Sequence, residues 1–102
     1  MPFDILEKLQ AWYATQCDGD WEHEFGVQID SLDNPGWTVS IDLKGTGLEA
    51  VKMKPIRVLA GDNDWLVCEV KGRKFIGNGD PSKLKRILEI FLSLANGGGT
   101  AA

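Results

Sequence analysis

The chain has 102 residues, of which 43% are hydrophobic and 25% are charged, and its formal net charge is −4 at pH 7. This size and composition are typical of one folded globular domain. No apolar run approaches the roughly 20 residues that span a bilayer, the first residues lack the basic and apolar segments of a signal peptide, and two cysteines are too few for a disulfide scaffold. We therefore expect a cytoplasmic protein without a membrane partner.

The acidic residues are concentrated early in the chain. Residues 18–33 contain six carboxylates and neither lysine nor arginine. Such a region repels phosphate groups, so we expect no nucleic-acid partner. It attracts a basic protein and accelerates its association. A solvated acidic surface with no partner is the alternative interpretation.

The first predicted element is a helix from Asp4 to Gln16. Asp4 is suited to cap its N-terminus, and two adjoining apolar stripes give the helix one broad face for burial. The stripes consist of Ile5, Leu9 and Trp12, and of Leu6, Leu9 and Tyr13. Gly19 is predicted to adopt a positive φ where the helix stops.

Alternation of apolar and polar residues predicts four or five antiparallel strands in the middle of the chain. They lie at residues 25–30, 37–43, 56–60, 65–70 and 74–76. Between the first two strands, Pro35 and Gly36 suit the central positions of a type II turn, and Trp37 then falls on an apolar strand face. Gly77 and Gly79 are predicted to form a turn that closes the last strand.

A second helix is predicted to begin at residue 80. Asp80 is a natural N-cap and Pro81 suits the first helical position. The apolar stripe that follows consists of Leu84, Ile87, Leu88, Phe91 and Ala95. We therefore predict a single α+β domain at residues 1–96, with an N-terminal helix, a four- to five-stranded antiparallel meander sheet and a C-terminal helix packed on one face. Residues 97–102 are predicted to form a disordered Gly-rich tail.

Catalytic and metal-binding hypotheses centre on the acidic stretch after the first helix. Cys17 and His23 are six residues apart and could form a nucleophile and its base, but a helix C-terminus and nearby carboxylates disfavour a thiolate. His23 and the surrounding acids lack the spacing of a calcium loop and a second histidine for zinc. Acid–base catalysis by two carboxylates would require a cleft that raises the pKa of one of them. We therefore expect neither a metal nor a cofactor, and we expect Cys68 to be a small core residue.

The tryptophans fall into two groups according to the residues around them in the sequence. Trp12 and Trp37 fit core positions of predicted elements, whereas Trp21 and Trp65 lie close to carboxylates in the sequence. A tryptophan ringed by charge is typical of a protein-binding hot spot. The alternative is that each of these two rings covers an open edge of the core.

Several segments of the chain together resemble the immunity protein 53 family, and the likeness extends from about Ile5 to Ala95. The segments are Trp12–Tyr13, Gln16–His23, Leu32–Trp37, Ile41–Leu43, Asp64–Trp65 and Ile87–Phe91. The resemblance implies a non-enzymatic immunity protein of a bacterial polymorphic toxin system, which binds and blocks a cognate toxin made by the same cell. It does not identify that toxin.

The resemblance and the acidic stretch together lead to a hypothesis about the binding surface. Many toxins of this kind are nucleases with basic clefts, in which an acidic face can mimic phosphate while aromatic residues anchor it. The candidate toxin contacts are Asp18, Asp20, Trp21, Glu22, Glu24, Asp33, Asp62, Asp64 and Trp65. Structural roles are assigned to Cys17, Gly19, His23, Pro35, Gly36 and Trp37.

A small enzyme that uses Cys17 and His23 is the competing hypothesis. Some relatives carry a rhodanese-like, sulfurtransferase label, but the rhodanese loop C-x-x-G-x-R is absent after both Cys17 and Cys68. A third hypothesis is that the string from Trp21 to His23 is only structural. In that case hydrogen bonds of His23 and Asp18 would fix the passage from helix to strand.

Overall fold

The computed structural model describes residues 4–96, which form one α+β unit with five strands and the predicted N-terminal and C-terminal helices, together with a short helix that was not predicted. The helices are α1 (Ile5–Gln16), α2 (Trp21–Glu24) and α3 (Leu84–Ala95). The strands are β1 (Val27–Leu32), β2 (Gly36–Asp42), β3 (Ile56–Gly61), β4 (Asp64–Lys71) and β5 (Lys74–Gly79). The predicted tail at residues 97–102 lies outside the described range.

All five strands form one antiparallel sheet in the order β1-β2-β5-β4-β3. The predicted hairpin joins β1 to β2, and β3, β4 and β5 follow one another as a second meander. β5 lies beside β2, so segment 43–55 carries the chain from β2 to the far edge of the sheet. Leu48, Val51 and Met53 of that segment pack against the core. β1 and β3 are the two outer strands.

The core lies between the sheet and the helices α1 and α3. Its fully or nearly fully buried side chains include Val39, Ile41, Leu66, Cys68, Phe75, Ile87, Leu88 and Phe91. Burial of each large apolar side chain stabilises the fold by roughly 1.5–3 kcal/mol. Thr38 and Ser40 alternate with the buried residues of β2 and lie beside Asn78 and Ile76 on the opposite face.

The glycines of β5 let α3 approach the sheet closely. The prediction that Gly77 and Gly79 form a turn is wrong, because both belong to the strand that pairs with β2 and β4. A Cβ atom on Gly77 would overlap Ile87, and one on Gly79 would come within 2.7 Å of the Cβ of Lys83. A strand without side chains at these positions leaves the space that the helix occupies.

Helix α1 begins where the sequence predicts it to begin. The carboxylate of Asp4 accepts a hydrogen bond of 2.8 Å from the backbone N–H of Glu7 and so caps the helix. Leu9 is buried, and the Trp12 ring lies edge-on to that of Phe91, with centroids 4.8 Å apart. The prediction of a second buried stripe is wrong for Tyr13, which is 39% exposed. It is also wrong for Leu6, which is 62% exposed, so α1 buries only one narrow face.

The turn between β1 and β2 differs from the predicted type II turn. The Asn34–Pro35 peptide bond is cis, and Gly36 lacks the positive φ that the third position of a type II turn requires. Gly36 is instead the first residue of β2. A Cβ atom on Gly36 would overlap the carbonyl oxygen of Gly79 and contact the Trp65 ring, so glycine is required here by close packing.

Helix α3 begins later than predicted. Its first residue is Leu84 and its N-cap position is occupied by Lys83, so the prediction of Asp80 as N-cap is wrong. Asp80 instead lies buried at the end of β5. The predicted apolar stripe of the helix is confirmed, since Ile87 and Phe91 are fully buried.

Candidate functional site

The predicted toxin contacts separate into two groups at opposite ends of the sheet. One group precedes β1 in the α2 region, and we call Asp18, Asp20, Glu22 and Glu24 the acidic corner. The other lies in the turns before β2 and β4 and at the start of β4, and we call Asp33, Asp62, Asp64 and Trp65 the groove end. β2 connects the two ends with 7 residues. At about 3.3 Å per residue the ends are roughly 20 Å apart.

Two carboxylates of the acidic corner hold its backbone in place. Glu22 accepts hydrogen bonds from the N–H groups of Asp18 (2.9 Å) and Gly19 (2.8 Å). Asp18 accepts from the N–H groups of Asp20 (2.9 Å) and Trp21 (3.0 Å). The N–H groups, that of Trp21 first, lower the pKa of Asp18, and backbone N–H groups likewise lower the pKa of Glu22. Gly19 has a φ of 97°, as predicted.

The acidic corner keeps its negative charge. None of the ion pairs within residues 4–96 involves any of its four carboxylates. Asp20 and Glu24 are exposed. Their side chains make no hydrogen bond to other described residues. Their field therefore extends into solvent, where it acts over about 8 Å at physiological ionic strength.

Trp21 belongs to the interior. It is 5% exposed, and its indole N–H donates a hydrogen bond of 2.8 Å to the carbonyl oxygen of Lys44. Its ring lies 6.0 Å from that of Tyr13 and 6.2 Å from that of Trp12, both edge-on. Trp21 lies too deep to offer its ring to a partner.

Cys17 and His23 are not joined by any hydrogen bond of the described residues. The thiol of Cys17 donates to the carbonyl oxygen of Tyr13, 3.4 Å away, at the end of α1. His23 is exposed on α2. Burial raises the pKa of the Cys68 thiol to about 12, which keeps it protonated. In the part of the chain that the structure describes, no three His, Cys, Asp or Glu residues are placed to hold a metal ion.

The groove end contains an open groove of about 590 Å³. It is lined by Asn34, Leu59, Gly61, Asp62, Asn63 and Trp65. Leu59 is 69% exposed and Trp65 is partly exposed. Asp62 therefore places a carboxylate beside an accessible apolar surface, and Asp33 precedes the lining residue Asn34 in the chain. This combination of an aromatic ring, an exposed aliphatic chain and acids is suited to a basic or mixed protein surface.

A buried carboxylate positions Trp65. Asp80 is 1% exposed and accepts hydrogen bonds of 2.8 Å from the N–H groups of Trp65 and Ser82. The ammonium of Lys83 bridges Asp80 and Asp64, at 2.8 Å from each. The hydrogen bond from Lys83, followed by that from Ser82, holds the pKa of Asp80 well below its usual range. Asp64 and then Asp80 raise the pKa of Lys83.

Sequence reasoning missed Asp80 as a supporting residue of this end. The sequence does contain a signal for this role, a carboxylate that directly follows a strand and precedes a lysine by three residues. The same pattern also suits a helix N-cap. Asp64, a predicted contact, has its charge partly neutralised by Lys83.

Trp37 is half-buried, and its indole N–H donates a hydrogen bond to the carbonyl oxygen of Pro81, 2.9 Å away. This bond connects β2 to the segment before α3.

The comparisons with known proteins bear on the whole of this fold. None of the helices within residues 4–96 is long and apolar enough to cross a membrane. No match was found among curated proteins or among solved structures. The family model of immunity protein 53 matches residues 6–96, which include both ends of the sheet. The chain therefore belongs to the immunity protein 53 family.

Proposed function

We propose that this protein neutralises a cognate bacterial toxin by binding it in the cytoplasm, and that it catalyses no reaction of its own. The observation that carries the proposal is the family match over residues 6–96, because an immunity protein implies a toxin as its partner. The separation of Cys17 from His23 in the hydrogen-bond network agrees with a role in binding.

We place the toxin contact at the groove end. Trp65 and Leu59 offer apolar area beside Asp62, and a large rigid ring next to charge is a typical anchor of a protein interface. Asp80 and Lys83 hold this end in place before a partner arrives. A surface that is already ordered loses less conformational entropy on binding.

We assign the acidic corner a role in attraction rather than in anchoring. Trp21, the tryptophan between its carboxylates, is buried, so the corner offers no exposed tryptophan as an anchor. Its unpaired carboxylates accelerate the approach of a positively charged toxin, such as a nuclease with a basic cleft. Charges at the edge of an interface act mainly on the association rate, whereas buried anchors act mainly on the dissociation rate.

The test compares the binding of three variants to the cognate toxin. Trp65→Ala removes the anchor, Asp33→Lys with Asp62→Lys reverses the groove charges, and Asp20→Lys with Glu24→Lys reverses the corner charges. We expect Trp65→Ala to weaken binding by at least about thirtyfold through faster dissociation. We expect the corner variant to slow association and to flatten its dependence on salt.

Unchanged affinity and unchanged salt dependence in all three variants would refute the proposed surface.

The proposal of binding without catalysis is tested with a variant that combines Cys17→Ser and His23→Ala. We expect cells that produce the toxin to remain protected by this variant. Loss of protection by a variant that still folds and still binds the toxin would instead support an enzyme.

A further inference from the structure

The groove at the groove end contains acceptor groups that have no partner among the described residues. Of the residues that line it, Asp62 is the one that carries a charge. Asp62 forms no ion pair with other residues of the range 4–96. The side chains of Asn34, Asp62 and Asn63 make no hydrogen bond within that range. The groove therefore offers a carboxylate and amide oxygens to a ligand.

The charge of Asp62 is not balanced by a cation of the fold. Lys83 is already bonded to two other carboxylates, at 2.8 Å from each. Arg57 precedes Leu59 by two residues and shares its face of β3, but it does not line the groove. A ligand that enters the groove therefore meets a negative field without a counterion.

The ring of Trp65 is a positioned wall of the groove. Its backbone N–H donates to the buried carboxylate of Asp80, 2.8 Å away, and a Cβ atom on Gly36 would lie 3.4 Å from the ring. Trp65 takes part in none of the ring–ring contacts of the described residues. Because Leu66 beside it faces the core, Trp65 lies on the sheet face away from the helices, paired with Leu59 of β3. An indole ring and an unpaired carboxylate thus line the same groove.

We propose that the groove receives an arginine side chain of the cognate toxin, whose guanidinium stacks on Trp65 and binds the carboxylate of Asp62. This inference rests on the function proposed above and names the chemical group that the groove end recognises. A guanidinium is planar, so its face stacks on an indole ring while the N–H groups at its edge bind a carboxylate. The amide oxygens of Asn34 and Asn63 accept the N–H groups that remain.

Other occupants fit the groove less well. An apolar side chain would cover Asp62 and the two amides without giving them a hydrogen bond, which is costly. An acidic side chain or a phosphate would be repelled by Asp62. A lysine would satisfy the carboxylate, but its ammonium is strongly hydrated and has no flat face to stack on the indole. Arginine is the side chain that uses both the ring and the carboxylate.

The first experiment separates stacking from apolar contact at Trp65. We expect Trp65→Leu to weaken toxin binding about tenfold and Trp65→Phe only about threefold, because phenylalanine keeps an aromatic face for the cation. Equal losses in the two variants, measured by calorimetric titration, would show that the ring supplies only apolar area. That result would overturn the stacked guanidinium.

The second experiment tests the carboxylate. We expect Asp62→Asn to weaken binding about tenfold, since the charge-assisted hydrogen bonds become neutral ones. Asp30→Asn is the matched control, because Asp30 is exposed on β1 and belongs to neither group of candidate contacts. It removes the same charge, and we expect a change of less than about twofold. Equal losses in Asp62→Asn and Asp30→Asn would reduce the role of Asp62 to general attraction and overturn the proposal.

The third experiment searches the toxin for the arginine. Each arginine of the toxin is replaced by lysine, and each variant is titrated with the wild-type protein and with Trp65→Leu. We expect one replacement to weaken binding to the wild type about tenfold and binding to Trp65→Leu less than about threefold. If Trp65→Leu weakens binding and no toxin arginine shows this dependence, the arginine is refuted, while the groove end remains the toxin contact. A toxin that does not bind the wild-type protein would instead refute the proposed function itself.

Discussion

The acidic corner and the groove end hold their carboxylates by different means. At the corner, Asp18 and Glu22 accept hydrogen bonds from backbone N–H groups, and no ion pair of the described residues reaches them. At the groove end, Lys83 is bonded to both Asp64 and Asp80. The first arrangement fixes the chain and leaves its charge unneutralised, whereas the second fixes the chain and offsets part of the charge of Asp64 and Asp80.

This difference shows why a run of acids in a sequence does not define one surface. Asp18 and Asp33 belong to the same acidic stretch, yet β1 lies between them and takes them to opposite ends of the sheet. Asp18 and Glu22 stabilise a bend, while Asp20 and Glu24 remain available to a partner. The two ends can therefore be altered separately, and the following variants test the comparison.

The largest effect is expected from the tryptophan at the corner. Trp21→Ala leaves a cavity among Tyr13, Trp12 and Phe25 and removes the hydrogen bond to Lys44. We expect it to lower the free energy of unfolding by about 3–5 kcal/mol. Denaturant titration at neutral pH measures this loss.

The matched variant is Trp65→Ala at the groove end. Because Trp65 is only partly buried, we expect it to lower stability much less than Trp21→Ala, while it weakens toxin binding more. Equal losses of stability in the two variants would contradict the distinction between an interior ring and a surface ring.

A second prediction concerns the buried carboxylate of the groove end. Asp80→Asn weakens the bonds to Lys83 and to the N–H of Trp65, so we expect the melting temperature to fall by about 5 °C or more at pH 7. Because folding lowers the pKa of Asp80, its contribution is complete above the pKa of a free carboxyl, about 4, and is lost as the pH falls below it. Wild type and variant should therefore converge on acidification.

Asp64→Asn provides the control for this pH dependence. Asp64 bonds the same lysine, but its side chain is 61% exposed. We expect a smaller change in melting temperature at pH 7. A gap between wild type and Asp80→Asn that stays constant from pH 7 to about pH 3 would show that the charge of Asp80 is not what stabilises this end.

The smallest predicted effect distinguishes two glycines beside the acidic corner. Gly19 has a φ of 97°, where a Cβ atom is disfavoured, whereas Gly26 does not have a positive φ and has open space around it. We expect Gly19→Ala to cost about 1–2 kcal/mol of stability. Gly26→Ala should change stability by less than about 0.5 kcal/mol. Similar costs in both, measured by thermal unfolding, would mean that the bend does not depend on Gly19.

Much of the fold follows from local patterns. The cap at Asp4, the alternation from Trp37 to Leu43, and the apolar stripe of α3 each depend on residues that are close together in the chain, and each is found in the structure. Leu66 and Cys68 share the buried face of β4, as their spacing of two predicts. For these elements, the periodic pattern of side chains to be buried is sufficient to predict the structure from the sequence.

The parts that could not be predicted depend on contacts between distant residues. Gly77 and Gly79 favour a turn by local preference, but the position of α3 requires bare backbone there and a strand results. Asp80 caps no helix, because its carboxylate instead accepts hydrogen bonds from the ammonium of Lys83 and from the backbone N–H of Trp65. The placement of β5 next to β2 and the separation of the two acidic groups depend on the same non-local packing.

The pairing of β2 with β5 also has a consequence for how the chain is made. Asp42 pairs with Lys74 and Trp37 with Gly79, so the centre of the sheet joins the first hairpin to a strand that is synthesised after β3 and β4. Until residues 74–95 have left the ribosome, Val39 and Ile41 have only β1 beside them, without β5 on the other side or α3 to cover them. Non-local pairing of this kind slows folding and exposes nascent chains to aggregation. We therefore expect this fold to form only after residues 74–95 have been synthesised.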